Sequence, residues 1–138
     1  MILALLTACA GLTINDVTTG ETQAYPELKS MRFPEPTQAV FDRAEAVALA
    51  MPGWQNCTIP EPFLLTCEAV TPKMGFIDDV SIWVAPEGPG MSVLKMRSAS
   101  RQGKGDLGAN AKRIQAYQEA FAAYRSDAPP DVLPEPAQ

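Results

Sequence analysis

The chain has 138 residues, a formal net charge of −5 and 46% hydrophobic residues, which suits one small domain with a real core and excludes wholesale disorder. It contains no histidine, so the commonest general base and the commonest metal ligand are both missing. The acidic balance, with no basic stripe carrying interleaved aromatics, argues against nucleic acid as a partner.

The N-terminus, Met1-Ile-Leu-Ala-Leu-Leu-Thr-Ala-Cys9, has too short an apolar run to span a bilayer. It has the character of the end of a secretory h-region, so residues 1–8 read as a signal-peptide remnant. Leu6-Thr7-Ala8-Cys9 resembles a bacterial lipobox, in which the cysteine becomes the lipidated first residue. The run is short and no Lys or Arg precedes it, as when a start is placed too late. Ala10 rather than Asp after Cys9 favours the outer over the inner membrane by the usual lipoprotein sorting pattern. Residues 9–21 are polar and small and read as a tether, and residues 22–126 as the folded domain.

Residues 22–36 are expected to be extended, because Tyr25-Pro26 and Phe33-Pro34 disfavour helix. Thr37 reads as an N-cap for a helix over 38–51, with Val40, Ala44, Val47 and Met51 at helical spacing. Met51-Pro52-Gly53 ends it. Four strands follow, over 54–58, 64–71, 78–85 and 91–100, each pair separated by a turn signal. A second helix starts near Asp106 with the stripe Leu107, Ala111, Ile114, Tyr117, Phe121 and Tyr124. The tail 127–138 carries four prolines and reads as disordered. The fold class is therefore α+β in the order α-β-β-β-β-α: a four-stranded antiparallel sheet with two helices packed on one face.

Cys57 and Cys67 flank the turn-rich loop Thr58-Ile-Pro-Glu-Pro-Phe63. A hairpin closing over that loop sets them opposite each other on one face, where an extracytoplasmic setting would oxidise them. Two thiols without histidine do not make a zinc site, and neither a metal nor a cofactor is expected.

The charged residues cluster towards the end of the sheet. With the hairpin centred on Gly88, Ile82 faces Leu94 and Val80 faces Met96, which sets Asp79 across from Arg97 and Ser81 across from Lys95. Asp78 and Asp79 cannot share an ion or a proton, since adjacent strand residues point to opposite faces. Asp78, Asp79, Arg97, Arg101 and Arg113 read as a structural ion-pair network, with Arg113 reaching back to Asp78, Asp79 or Asp106. Asp106 reads as a helix cap, occupying the place where an anion would otherwise sit. Trp54, Trp83, Lys95, Arg97 and Arg101 form a candidate binding face on the side of the sheet away from the helices. No residue is assigned a catalytic role: Ser98 and Ser100 have no histidine partner.

Gly75-Phe76-Ile77-Asp78-Asp79-Val80, Arg97-Ser98-Ala99-Ser100-Arg101, Gly103, Asp106-Leu107-Gly108-Ala109-Asn110 and Lys112-Arg113-Ile114, with Val40-Phe41-Asp42 and Gly53-Trp54 earlier, resemble the domain-of-unknown-function 1499 family. The resemblance implies a small bacterial exported or membrane-linked domain, and it brings no activity, cofactor or catalytic residues. The cysteine pair is not part of that pattern.

The reading favoured by these residues is a lipid-anchored, periplasm-facing domain that binds a protein partner, as an accessory subunit of a membrane complex. The alternative is a module for a small anionic ligand or lipid head group, which requires a pocket near Lys95, Arg97 and Arg101. An enzyme, of hydrolase type, would need a cleft around a perturbed Asp79.

Overall fold

The computed structural model describes residues 13–124. The signal remnant 1–8, Cys9, the first residues of the expected tether and the tail 127–138 lie outside the described residues. The chain runs β1 (Asp16–Thr18), β2 (Met31–Phe33), α1 (Thr37–Ala50), β3 (Trp54–Glu61), β4 (Leu64–Val70), β5 (Ile77–Pro86), β6 (Ser92–Ser100) and α2 (Ala109–Ala123). The α+β class and the two helices are as expected, but the sheet has six strands rather than four. The order is β1-β6-β5-β4-β3, with β2 also paired to β6, and every pairing is antiparallel.

The two additional strands correct the reading of the N-terminal third. Within the expected tether, Asp16–Thr18 pairs with Arg97–Ala99 of β6, and Val17 is fully buried. Met31–Phe33 pairs with the other half of the same edge, at Ser92–Leu94. The gap between them is closed by Thr19. Its backbone N–H donates to the Met96 carbonyl at 2.9 Å, and its hydroxyl accepts from the Met96 N–H at 3.0 Å. Two three-residue strands and one side chain thus satisfy an edge that would otherwise offer unpaired backbone groups. Runs this short carry no usable periodicity, so composition makes Asp16–Thr18 a tether, while Pro26 and Pro34 mark Met31–Phe33 as extended without showing that it joins the sheet.

The core lies between the helices and the inner sheet face. Val40, Ala44 and Val47 from α1 and Ile114, Tyr117 and Phe121 from α2 meet Val80, Ile82, Leu94 and Met96. Tyr117 is fully buried; its hydroxyl donates to the Ala44 carbonyl at 2.8 Å, joining the two helices, and burial pushes the phenol pKa upward. The guanidinium of Arg43 lies 4.6 Å from the Phe121 ring centre and 5.2 Å from that of Phe33, covering the end of the core with a cation–π contact. Both helices begin later or are capped differently than expected. Thr37 is the first helical residue of α1 after Pro36, and its hydroxyl meets Ser92 instead of capping. Leu107 precedes α2, is 75% exposed and takes no part in the buried stripe.

The β5–β6 register differs from expectation by two residues. Ile82 faces Met96, Val84 faces Leu94, Ser81 faces Arg97 and Trp83 faces Lys95. The loop is centred on Pro89 instead of Gly88, closed by the Glu87 N–H donating to the Met91 carbonyl at 2.9 Å. A slip of two keeps every side chain on its face, so matching apolar faces does not distinguish the two registers. The turn decides, with Gly88 and Gly90 both at positive φ.

Cys57 and Cys67 are disulfide-bonded, with Cα atoms 4.1 Å apart. The hairpin around them is tighter than a loop from Thr58 to Phe63: β3 runs on to Glu61, and the turn is Pro62-Phe63. Phe63 has φ 63°, a backbone position that favours glycine, and its ring is held edge-on against Phe41 at 5.7 Å. Replacing both cysteines by serine should lower unfolding free energy by about 2–3 kcal/mol, as for a short closed loop. Unfolding free energies from urea titrations of the parent and the double variant should differ by that amount without reductant and converge with it.

Candidate functional site

The residues shared by the Arg97–Ile114 block and Asp78 converge on a buried polar cluster where β5, β6, β1 and α2 meet. Asp78 enters from β5 on the inner face, 2% exposed. Arg113 comes from the second turn of α2 and sets its Nη2 2.8 Å from Asp78 Oδ2, an ion contact that lies off hydrogen-bond direction. Its Nη1 donates to Ser98 Oγ at 3.0 Å and to Asn110 Oδ1 at 2.9 Å. Ser98 Oγ donates to the same amide oxygen at 2.6 Å. The amide nitrogen of Asn110 donates to Asp106 Oδ2, Ser100 Oγ and the Asn15 carbonyl. Asp106 accepts from the backbone N–H of Gly108 at 2.7 Å and of Asn110 at 3.1 Å. It therefore caps α2 from two residues ahead of Gly108, the left-handed residue at which the helix starts.

This geometry is that of a fastening. Ser98 is fully buried and its hydroxyl is engaged on both sides, so it is closed to any reactant from solvent. Asp78 points inward and Asp79 outward, as strand alternation requires, and the two carboxylates share nothing.

Arg113 meets Asp78, one of the partners expected for it, while the pairs on the outer face differ from expectation. Asp79 faces Ala99, and its partner is Arg101, which approaches it through Nε at 3.0 Å and Nη2 at 2.7 Å. Arg101 Nη2 also holds Glu68 at 2.7 Å. Arg97, freed from Asp79 by the register, makes a two-pronged contact with Asp16 at 2.9 and 2.7 Å. Lys95 pairs with Glu21. Arg101 is thus the bridge between β4 and β5, while Arg97 and Lys95 fasten the N-terminal segment to β6. Asp16 and Glu21 lie in the stretch read as tether, so sequence reasoning had no place for them.

Hydrogen bonding to Arg101 lowers the Asp79 pKa, and hydrogen bonds from Asn56 and then Arg101 lower that of Glu68. The Arg97 pKa is raised, first by its hydrogen bonds to Asp16.

The candidate binding face loses one member. Trp54 lies on the inner face, stacked on Tyr117 at 5.4 Å between ring centres and 8° between planes. The cause is a bulge at Asn56, where φ is 50° and the β3–β4 register shifts by one between Gln55 and Thr58. One extra residue inverts the alternation, so Cys57 and Trp54 both face the core. Trp83, Lys95, Arg97 and Arg101 remain on the outer side, with Asp79, Glu68 and the Thr58–Thr66 hydroxyl pair, 3.0 Å apart. Neither helix packs there, and residues 22–36 do not cover it: Tyr25 and Leu28 are buried in the core and β2 lies along the edge.

The description "protein of unknown function (DUF1499)" belongs to the family model that matches residues 6–121. The chain belongs to the DUF1499 family. Asp78, Ser98, Ser100, Asp106, Asn110 and Arg113, the members of the buried cluster, are among the residues that carry the sequence resemblance. No curated protein matches the chain.

Two outcomes follow for stability. Arg113→Met leaves Asp78 buried without a cation and should cost about 3–5 kcal/mol, while adding Asp78→Asn should recover a large part of it; urea denaturation of the single and double variants measures both. Asp79 and Glu68 have folded pKa values below their unfolded ones. Their contribution is present above the unfolded carboxylate range and lost as pH falls through the folded values. Arg101→Gln should therefore flatten the fall in melting temperature between about pH 5 and pH 3 relative to the parent.

Proposed function

We propose that this DUF1499 domain is a lipid-anchored, periplasm-facing module that binds a protein partner through the outer sheet face, as an accessory subunit of a membrane-associated complex. The observation that carries the reading is the face itself: uncovered by either helix, centred on a half-buried Trp83 beside Lys95, and organised by Arg97–Asp16 and Arg101–Asp79–Glu68 contacts. An aromatic anchor amid ordered polar groups suits a protein surface, because charges already held in place lose less freedom on association. Each cation there already has a carboxylate, which favours a mixed polar partner over a free anion. The sealed Ser98 and the structural use of Asp78 favour a non-enzymatic role.

The lipobox-like Leu6-Thr7-Ala8-Cys9 supports the anchor, and the Cys57–Cys67 disulfide supports an oxidising compartment. No helix among the described residues is long and apolar enough to cross a membrane. A single acyl chain holds weakly, so a firm anchor requires the several chains of a processed lipoprotein.

The test is purification of the native protein from membranes in gentle detergent, beside Trp83→Ala and Lys95→Glu variants. A partner recovered in fixed ratio with the parent and at least about fivefold less with the variants supports the reading. Recovery of the parent alone counts against it. Intact-mass measurement of the same sample should show lipid on Cys9; an unmodified Cys9 removes the anchor.

A further inference from the structure

The two ends of the sheet differ in what they expose. At one end lie the turn after α1, the β4–β5 loop and the β6–α2 loop, joined by backbone contacts. The Val70 N–H donates to the Gly53 carbonyl at 2.9 Å, tying the α1–β3 turn to the end of β4. The β4–β5 loop is closed by the Thr71 N–H on the Phe76 carbonyl at 2.8 Å, and Asp78 just beyond it pairs with Ser100, the last residue of β6. The chain enters at the same place. The Asn15 carbonyl accepts from the Ser100 N–H at 2.7 Å, and the Ile14 carbonyl accepts from the Asp106 N–H at 3.1 Å.

Among the described residues, Leu49, Ile59, Met74, Phe76, Met91 and Leu107 are the exposed large apolar side chains. Four of them belong to this end: Leu49 in the last turn of α1, Met74 and Phe76 in the β4–β5 loop, and Leu107 in the β6–α2 loop. Ile59 and Met91 lie towards the other end. Leu107 is 75% exposed and held at φ 54°, a backbone position that favours glycine. An exposed leucine in a strained position is a cost to the free domain that a covering surface offsets.

Charge follows the same division. Lys73 and Lys104, in the same two loops, are exposed and form no ion pair among the described residues. The acid of those loops, Asp106, has both oxygens engaged by N–H groups at the start of α2. At the other end Glu35 and Glu87 take Arg43 and Arg32. A chain of net charge −5 thus presents a basic, apolar-tipped end on the side where it enters the sheet. Cys9 stands four positions before Thr13, so at most about 14 Å of chain separates them.

We propose that this end of the domain rests on an anionic bilayer, with Leu49, Met74, Phe76 and Leu107 at the boundary of head groups and acyl chains and Lys73 and Lys104 on lipid phosphates. The contact deepens the anchored reading: it adds a second attachment and fixes the orientation. The strands then run away from the membrane, and the outer sheet face with Trp83 stands open at the side.

The experiment uses the full chain with Cys9→Ser, which leaves no free thiol because Cys57 and Cys67 are bonded. A cysteine carrying an environment-sensitive fluorophore is then introduced by Met74→Cys or, at the other end, by Met91→Cys. On phosphatidylethanolamine–phosphatidylglycerol vesicles the label at position 74 should brighten and shift to the blue, and the label at position 91 should not. Lys73→Gln with Lys104→Gln should weaken vesicle affinity about 25-fold, about fivefold for each lysine taken from an anionic surface. Met74→Ser with Leu107→Ser should weaken it at least about fivefold with the melting temperature level, since both side chains are exposed. A silent label at position 74, equal responses at both ends, or affinity unchanged in these variants overturns the proposal. So does a dimer in sedimentation that Met74→Ser with Leu107→Ser dissolves while no vesicle binding is seen. Every arm lacks lipid on Cys9, so the two readings fail separately. An unmodified native Cys9 removes the anchor and leaves this contact standing; a silent label at position 74 removes the contact and leaves the anchor.

Discussion

The buried contact between Asp78 and Arg113 sets the terms for much of the structure. Taking two charges out of water costs several kcal/mol each, and their attraction offsets this only when the remaining donors and acceptors are also engaged. Arg113 therefore does more than face Asp78. Its second nitrogen is held by Ser98 and Asn110, and Asn110 in turn reaches Asp106, Ser100 and the Asn15 backbone. The helix cannot slide by a turn along β6 without stranding Asp78 among apolar side chains. Position of α2, cap of α2 and docking of the N-terminal segment are thus consequences of one demand, the satisfaction of a buried carboxylate.

Strand β6 carries the other half of the organisation. On one side it pairs with β5 over nine residues; on the other it holds β1, Thr19 and β2 in succession. The N-terminal segment is therefore part of the sheet and supplies acids, Asp16 and Glu21, that take the cations of β6. With those acids in place the outer face is a surface of internally matched charge.

Local chemistry was readable where the relevant interaction spans a few residues. The strands β3 to β6 and both helices follow from apolar periodicity, the disulfide from two cysteines flanking a hairpin loop, and the opposite directions of Asp78 and Asp79 from the pleat. Asp106 was recognisable as a cap because capping needs only the next few N–H groups. The site was legible in composition but not in pairing. All five members of the expected network form ion pairs, yet Asp79 goes to Arg101 instead of Arg97, Arg97 takes Asp16, and Trp54 belongs to the core.

The sequence by itself determined the two helices and the four longer strands and which side of β5 and β6 is apolar, since each rests on a repeat of two or 3.6 residues. Only the tertiary structure decided the rest. A two-residue register slip leaves every face unchanged but gives Arg97 to Asp16 and Arg101 to Asp79. A single extra residue at Asn56 turns Trp54 inward. Strands of three residues become strands only because β6 offers them an edge. In each case the deciding contact joins segments far apart in the chain, where no local period records which partner will be met.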